Sequence, residues 1–192
     1  MSERKPARVT LKLATSLDGR IALANGLSQW ITGPESREAV HKMRADHDAI
    51  LTGIGTIVAD NPRLTARPDG QSVTRQPDVL IMDSTGRTPP DAAVHAEPSR
   101  RVRCFADRDL AAAMSGYSRV MIEAGGQIAA AALGAGLVDR IEWFRAPIIL
   151  GGDGIAVMAA LGLERLDAAP TFQRVALVER GRDLQETYER AS

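Results

Sequence analysis

An α/β fold is expected of this chain: a mainly parallel central sheet with an antiparallel C-terminal edge and helices on both faces. Three observations carry that expectation. Runs rich in β-branched residues alternate with helix-forming runs, the pattern of a sheet with crossover helices. The last two strand-like runs follow each other with no helix between them, which suits an antiparallel pair. The 192 residues are 44% hydrophobic, enough for one sizeable core. No shift in composition, repeat or low-complexity stretch divides them, so a single domain over residues 1–192 is expected.

Residues 9–13 alternate apolar and polar positions and read as the first strand. Asp18-Gly19 supplies the positive-φ position of a tight reversal. Thr32-Gly33-Pro34-Glu35 has the spacing of a capping box, which predicts a helix from Thr32 to about Asp46 with Val40 and Met43 on its apolar face. Residues 49–52 form a short buried strand ending in Gly53-Ile54-Gly55-Thr56, and Asp60-Asn61-Pro62 stops any helix beginning there. Residues 66–77 are rich in Pro, Gly, Ser and Arg and read as a surface loop. Strands follow over 79–84, 102–105 and 119–123, the last closed by Gly125-Gly126 and an alanine-rich helix over 127–135. Strands over 141–144, 172–178 and, more weakly, 183–189 complete the chain.

The 24 basic side chains are balanced by 24 acidic ones, which argues against a protein whose main task is gripping nucleic acid or an anionic membrane. Cys104 is the one cysteine, so no internal disulfide forms and a reducing compartment fits. No apolar signal region and no membrane-length apolar run is present, so a soluble, cytoplasmic chain is expected.

Ligands of open α/β sheets bind beyond the carboxyl ends of the strands. Three segments present a strand, then glycine or a small polar residue, then a helix start: Thr52 to Thr56, Asp83 to Gly86, and Glu123 to Gln127. The third is the best anion site, since glycines admit a phosphate to the helix N-terminus. A glycine pair there is equally plain turn geometry. Lys12, between Leu11 and Leu13, points to the opposite face from theirs, into a cleft or into solvent. Arg44, one turn after Val40, either covers the core edge with its stem or aims its guanidinium at a substrate phosphate. Glu123 ends an apolar strand either as a polar terminator or as a ligand contact. His95-Ala96-Glu97 matches part of a zinc deaminase motif, but a single cysteine cannot complete the metal set, and no metal is expected.

Taken in order, residues 11–22 and 28–32, Gly53-Ile54-Gly55-Thr56, residues 59–65, residues 81–84, Glu123-Ala124-Gly125-Gly126 and residues 146–152 closely resemble the reductase domain of the bifunctional riboflavin-biosynthesis pyrimidine deaminase/reductases. The matches span residues 9–152, without the family's deaminase domain. The resemblance implies a dihydrofolate-reductase-like fold, a homodimer, and NADPH-dependent reduction of the ribosyl group of 5-amino-6-(5-phosphoribosylamino)uracil. It implies Lys12 and Asp60 as catalytic residues, with Ser28, Arg44, Leu64, Arg67 and Glu123 on the substrate. Arg44 and Arg67 would take its phosphate. Ala14, Trp30, Thr56, Asp60, Ser84, Gly125, Gly126, Gln127 and Ile128 would line the cofactor, with Arg87, Arg100, Arg101 and Arg103 as candidates for its 2′-phosphate. Residues 85–122 have room for one strand and a short helix, shorter than the family's usual stretch. A reductase of another pyrimidine or pteridine, and a non-catalytic nucleotide-binding relative, are the alternatives.

Overall fold

The computed structural model describes residues 7–29 and 31–191. In chain order the elements are β1 (Arg8–Thr15), β2 (Arg20–Ala22), α1 (Pro34–Ala45), β3 (Ala49–Gly53), α2 (Ile54–Asp60), β4 (Asp78–Met82), β5 (Val102–Phe105), α3 (Leu110–Met114), β6 (Arg119–Ile122), α4 (Gly126–Gly134), β7 (Arg140–Arg145), β8 (Ile155–Ala156), β9 (Phe172–Arg180) and β10 (Asp183–Arg190). The expected strands and helices are all there, and between β4 and β6 the chain holds one strand, β5, and one short α-helix, α3, besides a 3-10 turn over Ala93–Ala96. Among the described residues no helix is long and apolar enough to cross a membrane.

The described residues gather into two compact units, one of residues 7–9 and 38–124, the other of residues 10–29, 31–37 and 125–191. In the first, strands run in the order β5-β4-β3-β6 and every pair is parallel. β3 and β4 are buried at every position, as strands covered on both faces must be, and both are accordingly apolar except for Thr52 and Asp78. Their Ile50, Val79 and Ile81 pack with Ile57 of α2, Leu64, Val94 and Met121 into one apolar cluster. Asn61 closes α2 in the left-handed region at φ 41°, as Asn-Pro after a helix foretells.

In the second unit the order is β1-β7-β10-β9. β1 pairs parallel with β7, while β10 is antiparallel to both β7 and β9. The sheet pairings are therefore mainly parallel, with the antiparallel strands at the C-terminal edge. β2 and β8 form a small antiparallel pair too short to show in the sequence.

Two expectations need correction. α1 begins at Pro34, not Thr32, and the Gly33 amide before it and the Ser36 hydroxyl in its first turn are held by a carboxylate about 150 residues away rather than by the local capping box. Asp183 Oδ2 accepts from the Gly33 N–H at 2.6 Å and the Ser36 hydroxyl at 2.5 Å. The hairpin turn carrying Asp183 passes so close that a Cβ on Gly181 would stand 2.6 Å from the Glu35 carboxylate, which places Glu35 against the turn instead of back on Thr32. A long-range carboxylate thus fixes the chain at the helix N-terminus, where the helix dipole favours a negative charge. Second, residues 66–77 are not wholly a surface loop: Ala66 and Gln76 are buried and clasp each other.

Candidate active site

β3, β4 and β6 run in parallel register, Leu51 opposite both Leu80 and Ile122, so the residues after each strand emerge along one edge. Thr56 lies in the first turn of α2, Ser84 just past β4 and Glu123 just past β6. Asp60, the last residue of α2, is exposed. The turn bearing Ser84 is built on Asp83, whose carboxylate accepts from the Thr85 and Thr88 amides and hydroxyls at 2.8 to 3.3 Å. Burial opposes its ionisation. Hydrogen bonds from the Thr88 side chain and from the Arg87 and Thr88 amides outweigh it and bring its pKa to about 2.

The loop of residues 63–67 is held at every residue. Arg100 is buried and its guanidinium donates to the carbonyls of Leu64 at 2.9 Å, Val94 at 2.8 Å and Arg63. Gln76 accepts from the Ala66 N–H at 2.7 Å and donates to the Ala66 carbonyl at 2.9 Å. The Arg67 N–H donates to His41 Nδ1 at 3.3 Å, and the Thr65 carbonyl lies 3.0 Å from the same nitrogen. These bonds keep Leu64 at φ 50°, a conformation an L side chain adopts only under constraint.

Arg44, from the last turn of α1, meets Glu123 there. Its Nε donates to Glu123 Oε2 at 3.0 Å, Nη2 to Oε1 at 2.8 Å, and Nη1 to the Thr65 carbonyl at 3.1 Å. The two side chains are 14% and 16% exposed. Arg44, Leu64, Arg67 and Glu123 are thus gathered around one loop, with the Arg67 residue exposed.

The second unit holds the other expected residues. Ala14 and Ser28 line an open cavity of about 190 Å³ with Ile21, Ile31, Thr32 and Arg37. Lys12 is half-buried and stands opposite Glu142 of β7 in the strand register. Asp18 belongs to more than a turn: its carboxylate takes the Ser16 hydroxyl at 2.6 Å and the Leu150 and Gly151 amides at 3.1 and 2.8 Å. The Ser16 bond, then the Leu150 amide, lower its pKa to about 2. Gly125 to Ile128 form the N-terminus of α4. A Cβ on Gly125 would meet nothing within 4 Å, while one on Gly126 would stand 3.0 Å from the Ala156 and Val157 carbonyls. Trp30 lies outside the described residues.

Sequence reasoning missed His41, Gln76 and Asp183. His41 had a signal, since it stands three residues before Arg44 and therefore on the same helix face. Gln76 and Asp183 act over distance and gave none. Of the four arginines expected near a 2′-phosphate, Arg100 is committed to backbone carbonyls and Arg101 pairs with Asp78 at 2.8 Å. The decoy glutamate Glu97 caps its own loop, accepting from the Ser99 amide and hydroxyl. Among the described residues no group of three or more His, Cys, Asp or Glu could hold a metal ion.

The fold places this chain in the dihydrofolate-reductase-like class: a dihydrofolate reductase from Enterococcus faecalis superposes with a TM-score of 0.60 over 96% of this chain and 97% of its own, at 13% identity. More narrowly, residues 7–185 match the family model of the RibD C-terminal domain, and the chain belongs to that family. The riboflavin biosynthesis protein RibD of Mycobacterium tuberculosis is 39% identical over 179 residues, covering 92% of this chain and 52% of its own. The chain thus spans about half the length of such curated relatives. A 2,5-diamino-6-ribosylamino-4(3H)-pyrimidinone 5′-phosphate reductase from Methanothermobacter thermautotrophicus is 31% identical over 92% of this chain and 94% of its own. The RibD structure of Acinetobacter baumannii superposes with a TM-score of 0.88 at 29% identity, over 97% of this chain and 59% of that one.

Proposed function

We propose that the chain is an NADPH-dependent oxidoreductase of riboflavin biosynthesis, reducing the ribosyl group of 5-amino-6-(5-phosphoribosylamino)uracil to ribityl. Membership of the RibD C-terminal domain family supports the reading. The observation that carries it is the convergence of Arg44, Glu123, Leu64 and Arg67 on one loop: a carboxylate acceptor for pyrimidine N–H groups beside an exposed cation for a phosphate.

The residues fit a dinucleotide. Gly125 leaves open space at the N-terminus of α4, where backbone amides and the helix dipole suit a pyrophosphate. Thr56 and Ser84 offer hydroxyls along one strand edge, with Asp60 at the end of the helix that follows Thr56. Ala14, Gly126, Gln127, Ile128 and Trp30 complete the cofactor set. NADPH bound by these residues would supply the hydride that C1′ of the ring-opened imine needs, with a proton going to the adjacent nitrogen. Lys12 and Asp60 are the candidate catalytic residues, Lys12 orienting or protonating the sugar end. Ser28 contributes a hydroxyl from the wall of its cavity. Holding the imine against the donor carries most of the rate, because positioning converts an encounter into a unimolecular step. The protein works as a cytoplasmic homodimer.

The test is consumption of NADPH with the ribosylaminopyrimidine phosphate, offered with and without prior deamination, and product identification by mass. One ribityl product per NADPH, with NADH much slower, is expected. Absence of turnover on both pyrimidines, with no saturable quenching of protein fluorescence by NADPH, overturns the reading.

A further inference from the structure

Arg87, Arg100, Arg101 and Arg103 all lie near β4 and β5, and their places along the strands separate them. Arg100 and Arg101 precede β5, and Arg101 pairs with Asp78, the first residue of β4. Both therefore sit at the amino ends of the parallel strands, whereas Ser84 follows the carboxyl end of β4. The five residues of β4, about 16 Å of chain, lie between. Arg103 is in mid-strand opposite Leu80, with its guanidinium 4.9 Å from the Phe105 ring centroid. Arg87 alone of the four stands beyond a carboxyl end, three residues after Ser84 on the same turn.

That turn holds Arg87 by one atom. Its Nε donates to Thr85 Oγ1 at 2.8 Å, and Thr85 is anchored to Asp83 Oδ1 through its amide and hydroxyl, at 3.3 and 3.2 Å. The side chain is exposed, and its terminal nitrogens are uncommitted among the described residues. Asp83 offers it no competing ion pair: the carboxylate is buried and taken up by the donors of Thr85 and Thr88. A Cβ on Gly86, at φ 64°, would meet nothing within 4 Å, so there is open space at the turn. A hydroxyl at Ser84 and the open end of a guanidinium at Arg87 flank it, a donor set suited to a phosphate monoester.

Strand order says which end of a dinucleotide arrives here. Along β6-β3-β4 the carboxyl ends lead to Glu123, Thr56 and Ser84 in turn. The hydride passes to a substrate whose pyrimidine meets Glu123, so the nicotinamide belongs on the β6 side. The adenosine end then falls at β4, two strand spacings or about 10 Å further on. Resting on the functional reading above, we infer that Arg87, with Ser84, binds the 2′-phosphate of the adenosine ribose and makes the chain prefer NADPH to NADH.

The two dinucleotides differ by that phosphate alone, so equilibrium titrations of the whole chain with each, followed by protein fluorescence, isolate it without turnover. The wild type is expected to bind NADPH roughly tenfold or more tightly than NADH, the scale of charge-assisted hydrogen bonds. Arg87→Ala should remove most of that difference while leaving NADH affinity within about twofold of wild type. The KM of NADPH should rise accordingly, at nearly constant kcat. Arg87→Gln makes the same comparison if the alanine variant fails to fold. Discrimination retained without Arg87, equal weakening of both dinucleotides, or an equal loss of discrimination in Arg103→Ala overturns the inference and leaves the reductase function standing. So does a wild type that binds the two dinucleotides alike and still reduces the pyrimidine. A wild type that binds neither dinucleotide and reduces no pyrimidine overturns the function and this inference together.

Discussion

His41 stands between two cations. Its Nδ1 lies 3.0 Å from the Thr65 carbonyl and 3.3 Å from the Arg67 amide that donates to it; one nitrogen serves one of them at a time, as acceptor when bare and donor when protonated. Burial, then repulsion from Arg44, holds its pKa below 6.5; Arg67 adds to the lowering, and the Thr65 carbonyl and Glu38 oppose it. His47 is lowered too, by burial first, against the Met43 carbonyl. A folded-state histidine of lowered pKa stays neutral where the unfolded chain already takes up a proton. The unfolded state then binds more protons, and stability falls as pH drops below about 6.5. The melting temperature is therefore expected to decline between about pH 7 and pH 5, and the decline to be shallower in His41→Gln. Thermal unfolding of both proteins across that range checks it; parallel pH profiles would remove His41 from the effect.

Two adjacent glycines at the start of α4 have different jobs. A Cβ on Gly126 would stand 3.0 Å from two carbonyl oxygens and 3.1 Å from the Ala159 amide nitrogen, all backbone atoms of a segment that also bonds to it, Ala159 N–H to Gly126 carbonyl at 3.1 Å. Gly126→Ala is expected to cost about 1–3 kcal/mol of stability through overpacking. Gly125 sits in an extended conformation with open space beside it, so Gly125→Ala should cost less than about 1 kcal/mol while weakening NADPH. Chemical denaturation and cofactor titration of the two variants separate the roles, and equal stability losses would defeat the assignment. The sequence pattern reads both glycines as one motif because spacing is local, whereas the segment at 156–159 arrives from thirty residues away. The same limit explains what else was legible. The buried runs of β3 and β4, the Asn61 helix stop and the closing β9–β10 pair are written in nearest neighbours and periodicity. The start of α1 depends on Asp183, the shape of the 63–67 loop on Arg100 and Gln76, and the clasp of residues 150–151 on Asp18. Of the site, the residue types were legible; the pairing of Arg44 with Glu123 was not.

At the scale of the molecule β9 is an edge strand that calls for a cover. The strand pairs on one side with β10 and is the last in its order, and no residue along it is buried. Val175 is 53% exposed, Leu177 51% and Val178 41%, so both faces present apolar side chains beside an unpaired backbone edge. Such an edge invites association with another strand or sheet unless it is charged or covered. Flanking Arg174, Glu179 and Arg180 charge its ends, but the middle four residues carry none. The formal net charge of zero sets up no long-range repulsion between copies. A second copy of the chain is the simplest cover, and the homodimer proposed above would use this face. Sedimentation or light scattering should then report about twice the 20.6 kDa chain mass. Leu177→Lys, which puts a charge where the apolar middle would be buried, should shift the population towards monomer by roughly tenfold or more in dissociation constant, since an unpaired interfacial charge costs several kcal/mol. Circular dichroism must stay unchanged for the shift to count. A monomeric wild type, or a dimer indifferent to Leu177→Lys, would leave β9 as a solvated edge and place any dimer contact elsewhere.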